Sequence, residues 1–527
     1  MENRIGRREL LEWSAALGAA VVSGPVPRAF AVDGPATLGR RLADDPPRNI
    51  IFMVSDGMSL GVPSMAEPFS RAVRGAGTHW LELLASPECR HGWMETGSLN
   101  SLVTDSAAAS SAWGSGSRVF NDAVNMLPDG TRLTPVAELA RSAGRRVGLV
   151  TTTTITHATP AGFAAVQACR DDEAEIAPQY LERVDVLMGG GREYYLPELR
   201  KDQRDLVAAF KRAGYALWTR RDHLRSEDRP PRVLGLFGQG HLPFTIDQRS
   251  DERLAREVPT LAEMTQAALD ILGRVGARDS DDRHDAGPPD DPPAPGFLLM
   301  VEGGRVDHAA HANDAAALLW DQLAFDDAIR VATAFAARRR DTLVVVTTDH
   351  GNANPGLNGM GSNYRESDRC FGRLTGFTGS YETLKRRATR GLESDKAPAA
   401  DHVTDVVRAL TQIVLSRAEA ATLAEALVGR LPPELSRQHA NLIGVTGQIF
   451  GNHTGVGWTG KSHTADLALT TALGPGAEAF AGVLRNTDVF AALTAAMGIR
   501  HRNPSMTPAE AQRFAAAATS RHVDAWS

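Results

Sequence analysis

Cysteine is scarce in this 527-residue chain. Its three cysteines, Cys89, Cys169 and Cys370, are widely separated and form no CxxC pair. Zinc clusters built from thiolates need such paired cysteines, so a metal in this protein would have to be held by histidines and carboxylates. A single disulfide is compatible with an oxidising compartment, but the sequence does not indicate which two cysteines would form it.

Long apolar runs and excess positive charge are also missing. Beyond the first thirty residues, no stretch approaches the ~18 consecutive apolar residues that a membrane span requires. The formal net charge is −6, which offers no broad basic surface for nucleic acid. With 43% hydrophobic and 23% charged residues, the composition is that of an ordinary globular protein. We therefore expect neither a nucleic-acid partner nor a membrane partner for the mature chain.

The N-terminal segment has the pattern of an export signal. A twin-arginine pair, Arg7-Arg8, precedes the apolar run Ser14–Ser23, and Ala29–Ala31 supplies small residues where a signal peptidase would cut. This pattern predicts a twin-arginine-type signal peptide over residues 1–31, a mature chain that begins near Val32, and a periplasmic or extracellular location. The alternative is an amphipathic N-terminal helix that belongs to the folded protein.

Short buried strands alternate with helices along the chain. Five runs of β-branched or apolar residues predict strands at Asn49–Ser55, Arg146–Thr152, Val184–Met188, Phe297–Val301 and Thr342–Thr348. Four longer runs predict helices at Pro135–Ala143, Leu261–Val275, Ala315–Arg338 and Val403–Leu415. This alternation is typical of an α/β fold with a doubly wound, mostly parallel central sheet flanked by helices.

Two segments interrupt this alternation. The Asp- and Pro-rich stretch Asp279–Pro295 cannot build a core and is predicted to be a surface loop. Residues 353–450 begin with Gly- and Asn-rich sequence and continue into Ala/Leu-rich helix, which predicts an inserted, crown-like subdomain for substrate access or oligomer contacts. The predicted division is therefore an α/β core over 48–352, the insertion over 353–450, and a C-terminal part of the core over 451–527.

Candidate metal ligands follow four of the five predicted strands. In chain order they are Asp56, His157, Thr159, Glu302, Asp349 and His350. In open α/β sheets, ligands bind outside the carboxyl ends of the strands, so we expect these side chains to gather at one edge of the sheet. A single strand that ends in an acidic residue is more often just entering solvent, but four such strands together indicate a site.

The segment after Glu302 adds two further candidate ligands. His311 lies four residues after Asp307, so both side chains face the same way if a helix begins there. A carboxylate and an imidazole on one face suit zinc, which keeps an open coordination position when it is catalytic. The alternative is a solvated helix start, where aspartate is common.

Ser106 is the candidate nucleophile. The chain from Ala107 to Trp113 can be helical, which would place Ser106 at a helix N-terminus, where the dipole favours anions. The alternative is that this Asp-Ser pair only caps the helix. No Gly-x-Ser-x-Gly elbow surrounds Ser106, which argues against an α/β-hydrolase. The serine would then need another activator, and zinc strongly lowers the pKa of an oxygen that it binds.

In order and spacing, these motifs resemble the alkaline phosphatase family, from about Arg48 to Gly498. The matching motifs are Asp56-Gly57-Met58, Thr104-Asp105-Ser106-Ala107-Ala108, His157-Ala158-Thr159-Pro160-Ala161-Gly162, Glu302-Gly303-Gly304-Arg305-Val306-Asp307-His308, Thr348-Asp349-His350 and Ser462-His463-Thr464. Each motif is short, but six in register are specific. No motif of the family falls within residues 353–450.

The resemblance implies two zinc ions and one magnesium ion. The implied ligands of one zinc are Asp307, His311 and His463. Those of the other zinc, which would activate Ser106, are Asp56, Asp349 and His350. Those of magnesium are Asp56, Thr159 and Glu302, an oxygen-rich set that suits a hard cation.

The resemblance also assigns positions near the phosphate. Arg170 stands where the family places the arginine that clamps phosphate, and a guanidinium can bind two phosphate oxygens at once. His157 and His308 stand where some members carry Asp and Lys; imidazoles there invite zinc or cobalt in place of magnesium, and His308 could equally support the phosphate site without binding metal. Both His453 and His463 precede a threonine, and the strand-like alternation after His463 favours it as the ligand. The histidines outside these motifs are interpreted as surface or core residues.

The implied activity is hydrolysis of small phosphate monoesters through a phosphoserine at Ser106. A phosphodiesterase on the same scaffold is the first alternative, although such an enzyme would not be expected to need Arg170 or the magnesium ligands. A non-catalytic phosphate-binding protein is the second, although a dead enzyme should have lost a ligand or the serine. The sequence does not indicate the oligomeric state, and a homodimer is one option.

Overall fold

The computed structural model describes residues 46–227, 229–274, 296–393, 395–431 and 438–514. The predicted signal peptide and the predicted loop Asp279–Pro295 lie outside these ranges. Within them, no helix combines the length and apolar character needed to cross a membrane. Cys89, Cys169 and Cys370 are buried free thiols, so no disulfide forms among them.

A ten-stranded sheet forms the centre of the protein. Its strands are β1 (Asn49–Val54), β2 (Arg90–Glu95), β3 (Arg146–Thr154), β4 (Val186–Gly190), β5 (Ala216–Trp218), β6 (Val233–Leu236), β7 (Phe297–Glu302), β8 (Thr342–Thr347), β13 (Ala468–Leu473) and β14 (Gly482–Arg485). Four short strands form two small two-stranded sheets: β9 (Gly351–Asn352) with β12 (His463–Thr464), and β10 (Gly356–Leu357) with β11 (Val456–Gly457).

The strand order in the large sheet is β14-β2-β13-β8-β1-β7-β3-β4-β6-β5. The seven strands from β8 to β5 pair in parallel. At the other end, β13 runs antiparallel to both β8 and β2, while β2 and β14 pair in parallel. The predicted α/β fold with a mostly parallel sheet flanked by helices is therefore confirmed, and the described sheet is mixed because β13 runs against its neighbours.

Helices cover both faces of the sheet. They are α1 (Gly61–Arg74), α2 (His79–Leu84), α3 (Ser106–Ser115), α4 (Val136–Ser142), α5 (Ala158–Ala164), α6 (Glu173–Ile176), α7 (Leu206–Arg212), α8 (Thr245–Ser250), α9 (Glu252–Glu257), α10 (Leu261–Arg274), α11 (Arg305–His311), α12 (Ala315–Arg338), α13 (Ser367–Gly372), α14 (Tyr381–Ala388), α15 (Ala400–Thr411), α16 (Arg417–Ala426), α17 (Leu442–Thr454), α18 (Asp488–Ala496) and α19 (Pro508–Ala511). The predicted helices match α4, α10 and α12 to within one residue at each end. The prediction of Val403–Leu415 is wrong at both ends, because α15 begins earlier and Gln412 adopts a left-handed conformation that ends it.

Alternate residues of β1 point into two separate hydrophobic cores. Ile51 and Met53 pack into the core that includes α10 and α12, whereas Ile50 and Phe52 pack into the core that includes α4 and α5. Successive side chains of a strand point to opposite faces, so a strand covered on both sides must be apolar at every position. This arrangement explains the apolar run Ile50–Val54 of β1.

Residues 353–450 are mainly helical and contain α13 to α16 and most of α17. Their separation into a crown-like subdomain stays a prediction.

Two helices approach closely at a pair of glycines. A Cβ atom on Gly114 of α3 would lie 2.8 Å from the carbonyl carbon of Gly162 of α5 and would overlap its oxygen. A Cβ atom on Gly162 would in turn lie 2.5 Å from Cβ of Ser110. Because α3 begins at Ser106 and α5 contains Thr159, this contact fixes the distance between two of the candidate site residues.

We expect Gly114→Ala to lower the free energy of unfolding by about 1–3 kcal/mol, because the added methyl group meets backbone that cannot move without displacing α5. Gly372→Ala in α13 is the matched control, since its Cβ atom would meet no atom within 4 Å. Denaturant unfolding of both variants tests this expectation, and equal stability of the two would contradict it.

Candidate active site

The carboxyl ends of three adjacent strands place candidate ligands at one edge of the sheet. Asp56 follows β1, Glu302 is the last residue of β7, and Asp349 and His350 follow β8. Each of these side chains is at most 1% exposed. Because β8, β1 and β7 are parallel neighbours, their ends meet, and the structure brings the side chains together as the strand pattern predicts.

Gly57 allows two ligand-bearing segments to meet. Its φ is +67°, a conformation that favours glycine, and a Cβ atom there would lie 2.8 Å from Cβ of Asp307. The backbone N–H of Gly57 donates to Asp349 Oδ1 at 3.0 Å. A side chain at this position would therefore be strained and would displace Asp307.

Ser106 lies at the N-terminus of α3 and is 1% exposed. Its Oγ is 3.2 Å from His350 Nε2. Asp105 caps the helix by accepting a hydrogen bond from the Ala108 N–H at 2.8 Å. The helix dipole favours negative charge at this end, so the predicted helix start places the serine where an anion is stabilised.

Three groups of side chains bring their ligand atoms within 4.8 Å of one another. They are Asp307, His311 and His463; Asp56, Asp349 and His350; and Asp56, His157 and Glu302. The first two groups coincide with the implied zinc ligands. In the third group His157 accompanies the two acidic residues, and Thr159 lies beside it, donating from Oγ1 to Asp56 Oδ2 at 3.3 Å.

The two histidines of the first group are oriented by backbone carbonyls. His311 Nδ1 lies 2.7 Å from the carbonyl oxygen of Lys461, and His463 Nδ1 lies 2.9 Å from that of Thr104. A proton on each Nδ1 leaves each Nε2 with its lone pair. The two Nε2 atoms are 3.0 Å apart and lie 3.4 and 3.6 Å from carboxylate oxygens of Asp307. All three side chains thus turn ligand atoms toward one point.

Several carboxylates lie close together in this buried site, and bound cations would offset the repulsion between their negative charges. Burial, followed by the carboxylates of Asp349 and Asp307, raises the pKa of Asp56 well above its usual range. Burial also opposes charge on Asp349, but the nearby His350 outweighs burial and lowers the pKa of Asp349. Burial likewise disfavours the charged form of His350, yet Asp349 raises its pKa. Nearby positive charge therefore lowers the pKa of a carboxylate in this site, and divalent metal ions would act in the same direction.

Several buried ligand atoms have no hydrogen-bond partner among the described residues. They include Asp56 Oδ1, His157 Nδ1, Glu302 Oε1 and Asp349 Oδ2. Buried polar atoms in proteins are nearly always satisfied, so atoms of these types pointing at common centres fit divalent metal ions. Imidazole nitrogens with carboxylate oxygens suit zinc, and an oxygen-rich set suits magnesium.

Arg170 lies beside the candidate nucleophile. One guanidinium nitrogen donates to Asp105 Oδ2 at 3.2 Å, and another lies 3.1 Å from His157 Nε2. The side chain of Asp105 therefore both caps the helix of Ser106 and holds the guanidinium. The two contacts of Arg170, to Asp105 and His157, fix the position of its buried positive charge next to Ser106.

The sequence model described as "Alkaline phosphatase" matches residues 47–499, which is most of the chain. The chain belongs to the alkaline phosphatase family. Members of this family are metal-dependent phosphomonoester hydrolases, so the predicted family and enzyme class are confirmed.

Relatives within the alkaline phosphatase family match most of the chain. Alkaline phosphatase 3 of Bacillus subtilis is 30% identical over 481 residues, 89% of this chain and 92% of that protein. The streptomycin-6-phosphate phosphatase of Streptomyces griseus is 33% identical over 358 residues, 60% of this chain and 76% of that protein. The crystal structure of Thermus thermophilus alkaline phosphatase has a TM-score of 0.81 at 35% identity and covers 94% of this chain and 100% of its own.

Of the two competing histidines, His463 lies in the site. Its strand β12 pairs with β9 so that His463 is opposite Asn352, whose side-chain amide donates to Asp307 Oδ1 at 2.6 Å. His453 lies near the end of α17, with its Nε2 3.1 Å from Glu419 Oε1, and belongs to none of the three ligand groups.

His308 contacts neighbouring side chains without joining the ligand groups. Its Nδ1 lies 2.7 Å from a guanidinium nitrogen of Arg305, which also donates to Glu382 Oε1 at 3.1 Å. Burial, followed by His241, holds the pKa of His308 well below its usual range. These contacts keep His308 outside the three ligand groups, and its support of the phosphate site stays a prediction.

Sequence analysis missed His241, which was interpreted as an ordinary surface or core histidine. Its ring lies against those of His308 and His157, with centroid distances of 4.6 and 5.7 Å. The Thr154 N–H donates to His241 Nδ1 at 3.0 Å, which places any proton of the neutral ring on Nε2. Burial, followed by His157, holds the pKa of His241 well below its usual range.

Proposed function

We propose that this protein is an exported alkaline phosphatase that hydrolyses phosphate monoesters through a phosphoserine at Ser106, with two zinc ions and one magnesium ion. The main support is the convergence of the Ser106 hydroxyl, the Arg170 guanidinium and three groups of buried ligands. A nucleophile, a fixed cation and metal ligands at one point suit phosphoryl transfer, in which positioning and charge stabilisation supply most of the catalysis.

The proposed ligand sets divide the site between the metals. One zinc set is Asp307, His311 and His463, and the other is Asp56, Asp349 and His350. The magnesium set is Asp56, Thr159 and Glu302, with His157 close enough to favour zinc or cobalt there instead. When bound, these ions would supply positive charge that stabilises an ionised serine oxygen and the transferring phosphoryl group.

The protein's own residues orient both steps of the proposed reaction. The Oγ atom of Ser106 attacks phosphorus in line with the ester bond, which breaks and releases the alcohol. Arg170, held by Asp105, binds two oxygens of the phosphoryl group and keeps it facing the serine. Water then attacks the phosphoserine, inorganic phosphate leaves, and the serine hydroxyl is restored.

Metal analysis of the purified protein together with turnover of p-nitrophenyl phosphate and bis(p-nitrophenyl) phosphate tests this proposal. We expect bound zinc and magnesium, turnover of the monoester well above that of the diester, loss of activity on chelation, and recovery with both metals. Preference for the diester would instead support the phosphodiesterase alternative.

His463→Ala should lose about one zinc per chain, because the first ligand group then keeps one histidine and one carboxylate. His453→Ala is the matched control and should retain full metal content, since its imidazole faces Glu419. Elemental analysis of both purified variants measures the difference. Zinc loss in the control alone would show that the wrong histidine has been chosen.

Export through the signal over residues 1–31 is part of the same proposal. N-terminal sequencing of the secreted protein should find a start near Val32, and retention of the unprocessed chain inside the cell would contradict it. The domain boundaries at residues 353 and 450 and the homodimeric assembly remain predictions.

A further inference from the structure

A cavity of about 360 Å³ lies along one face of α17. This volume is within the range of small-molecule sites. No Asp, Glu, Lys or Arg side chain lines the cavity. A strongly charged ligand would therefore find no counter-ion among the described lining residues.

Three glycines lie on this face of the helix. Gly444, Gly447 and Gly451 recur at intervals of three and four residues, which places them on one side of α17. All three line the cavity. A Cβ atom on Gly447 would lie 2.9 Å from the side chain of Asn313 and 3.2 Å from Trp458 Cδ1. At Gly447, the missing methyl group lets the side chains of Asn313 and Trp458 pack directly against the helix backbone at the cavity.

The carboxamide of Asn313 is the strongest indication of a ligand. The residue is 1% exposed and lines the cavity. Neither its Oδ1 nor its Nδ2 has a hydrogen-bond partner among the described residues. A group that satisfies both atoms must present a donor and an acceptor side by side. Two adjacent hydroxyl groups do so, because each hydroxyl can donate and accept.

The rest of the lining fits a neutral, hydroxylated ring. Asn358, Gln448 and Asn452 add three more carboxamides, and Trp458 supplies an aromatic surface. Carboxamides pair with hydroxyl groups in either direction, and an indole packs against the apolar C–H face of a ring.

We propose that this cavity is a binding site for a neutral sugar, with Asn313 bonded to two adjacent hydroxyl groups and Trp458 packed against the ring. None of the residues that line the cavity belongs to the three ligand groups, and the proposal does not depend on the proposed phosphatase activity.

Calorimetric titration of the full-length protein with glucose, galactose, mannose and N-acetylglucosamine, each alone, tests the proposal. We expect at least one sugar to bind saturably with one site per chain. Asn313→Gly should weaken that binding about tenfold or more, because two hydrogen bonds are lost while the positive φ of +51° remains favourable for glycine. Asn363→Gly is the matched control, since Asn363 has a φ of +54°, is exposed and does not line the cavity.

Two further variants keep the test decisive if Asn313→Gly does not fold. Gln448→Ala, at an exposed position, should weaken sugar binding severalfold, and Gly447→Ala should weaken it by displacing the side chains of Asn313 and Trp458. Gly372→Ala should bind like the wild type. Absence of saturable binding for all four sugars, wild-type affinity in Asn313→Gly, or binding of adenosine in place of the sugars would overturn the proposal.

Discussion

Ser106→Ala is expected to reduce monoester turnover by about 10⁴-fold or more, because the reaction loses the oxygen that forms the covalent intermediate. The fold should persist, since the hydroxyl makes one side-chain contact in the structure, to His350, and α3 keeps its Asp105 cap. Denaturing acid quench after incubation with labelled phosphate should trap phosphoserine in the wild type and not in the variant.

Ser115→Ala is the matched control for this experiment. Ser115 lies in the same helix, and its hydroxyl donates to the carbonyl oxygen of Ser111 at 2.8 Å. That variant should keep near wild-type turnover and label. Label on a residue other than Ser106, or full activity of Ser106→Ala, would remove the serine from its proposed role.

Arg170→Ala should lower catalytic efficiency for a monoester by roughly ten- to several-hundredfold, since charge-assisted hydrogen bonds contribute about 1.5–3 kcal/mol each. A monoester dianion can offer two non-bridging oxygens to the guanidinium and still keep a third charged oxygen whose charge the proposed metal ions would offset. A diester has one charged oxygen fewer and cannot fully use a two-pronged contact, so its hydrolysis should fall much less. The measurement is kcat/KM for both substrate classes in wild type and variant.

Two comparisons separate this effect from a general loss of structure. Arg170→Lys keeps the charge but not the planar fork, so it should recover part of the monoester efficiency. Arg141→Ala removes a guanidinium that binds both oxygens of Asp185 at 2.8 Å, outside the three ligand groups, and should leave the ratio of monoester to diester efficiency unchanged. Equal losses for the two substrate classes in Arg170→Ala would show that this residue does not select monoesters.

The strands that sequence predicts best are those buried on both faces. β1, β7 and β8 are buried at every residue, and their apolar runs Ile50–Val54, Phe297–Val301 and Leu343–Val346 identify them without any tertiary information. β2 was missed because its burial alternates, with Trp93 39% exposed and Met94 fully buried. The direction of β13 was not predictable either, because it is set by pairing with β8 and β2 and not by the local sequence.

Site residues are likewise predictable from sequence where they follow a recognisable strand. Asp56, Glu302 and Asp349 were identifiable because each ends or follows a recognisable strand. His241 has no such marker: it lies 87 residues from Thr154, whose N–H it accepts, and only the fold brings the two together. The third ligand group brings His157, a candidate from the resemblance, together with Asp56 and Glu302, and Thr159 Oγ1 lies 3.3 Å from Asp56 Oδ2.

The pairing of β12 with β9 bears on the order in which the protein can mature. His463 bonds to the carbonyl oxygen of Thr104 across 359 residues and lies 152 residues beyond His311. Contacts between such distant segments form late, because a long loop must close first. If the proposed ligands are correct, a chain that ends before β12 contains only two of the three residues of the first ligand group, Asp307 and His311. Tight zinc binding by the first group would thus require a chain that extends past β12, and the zinc content of that group would report whether synthesis has passed this strand.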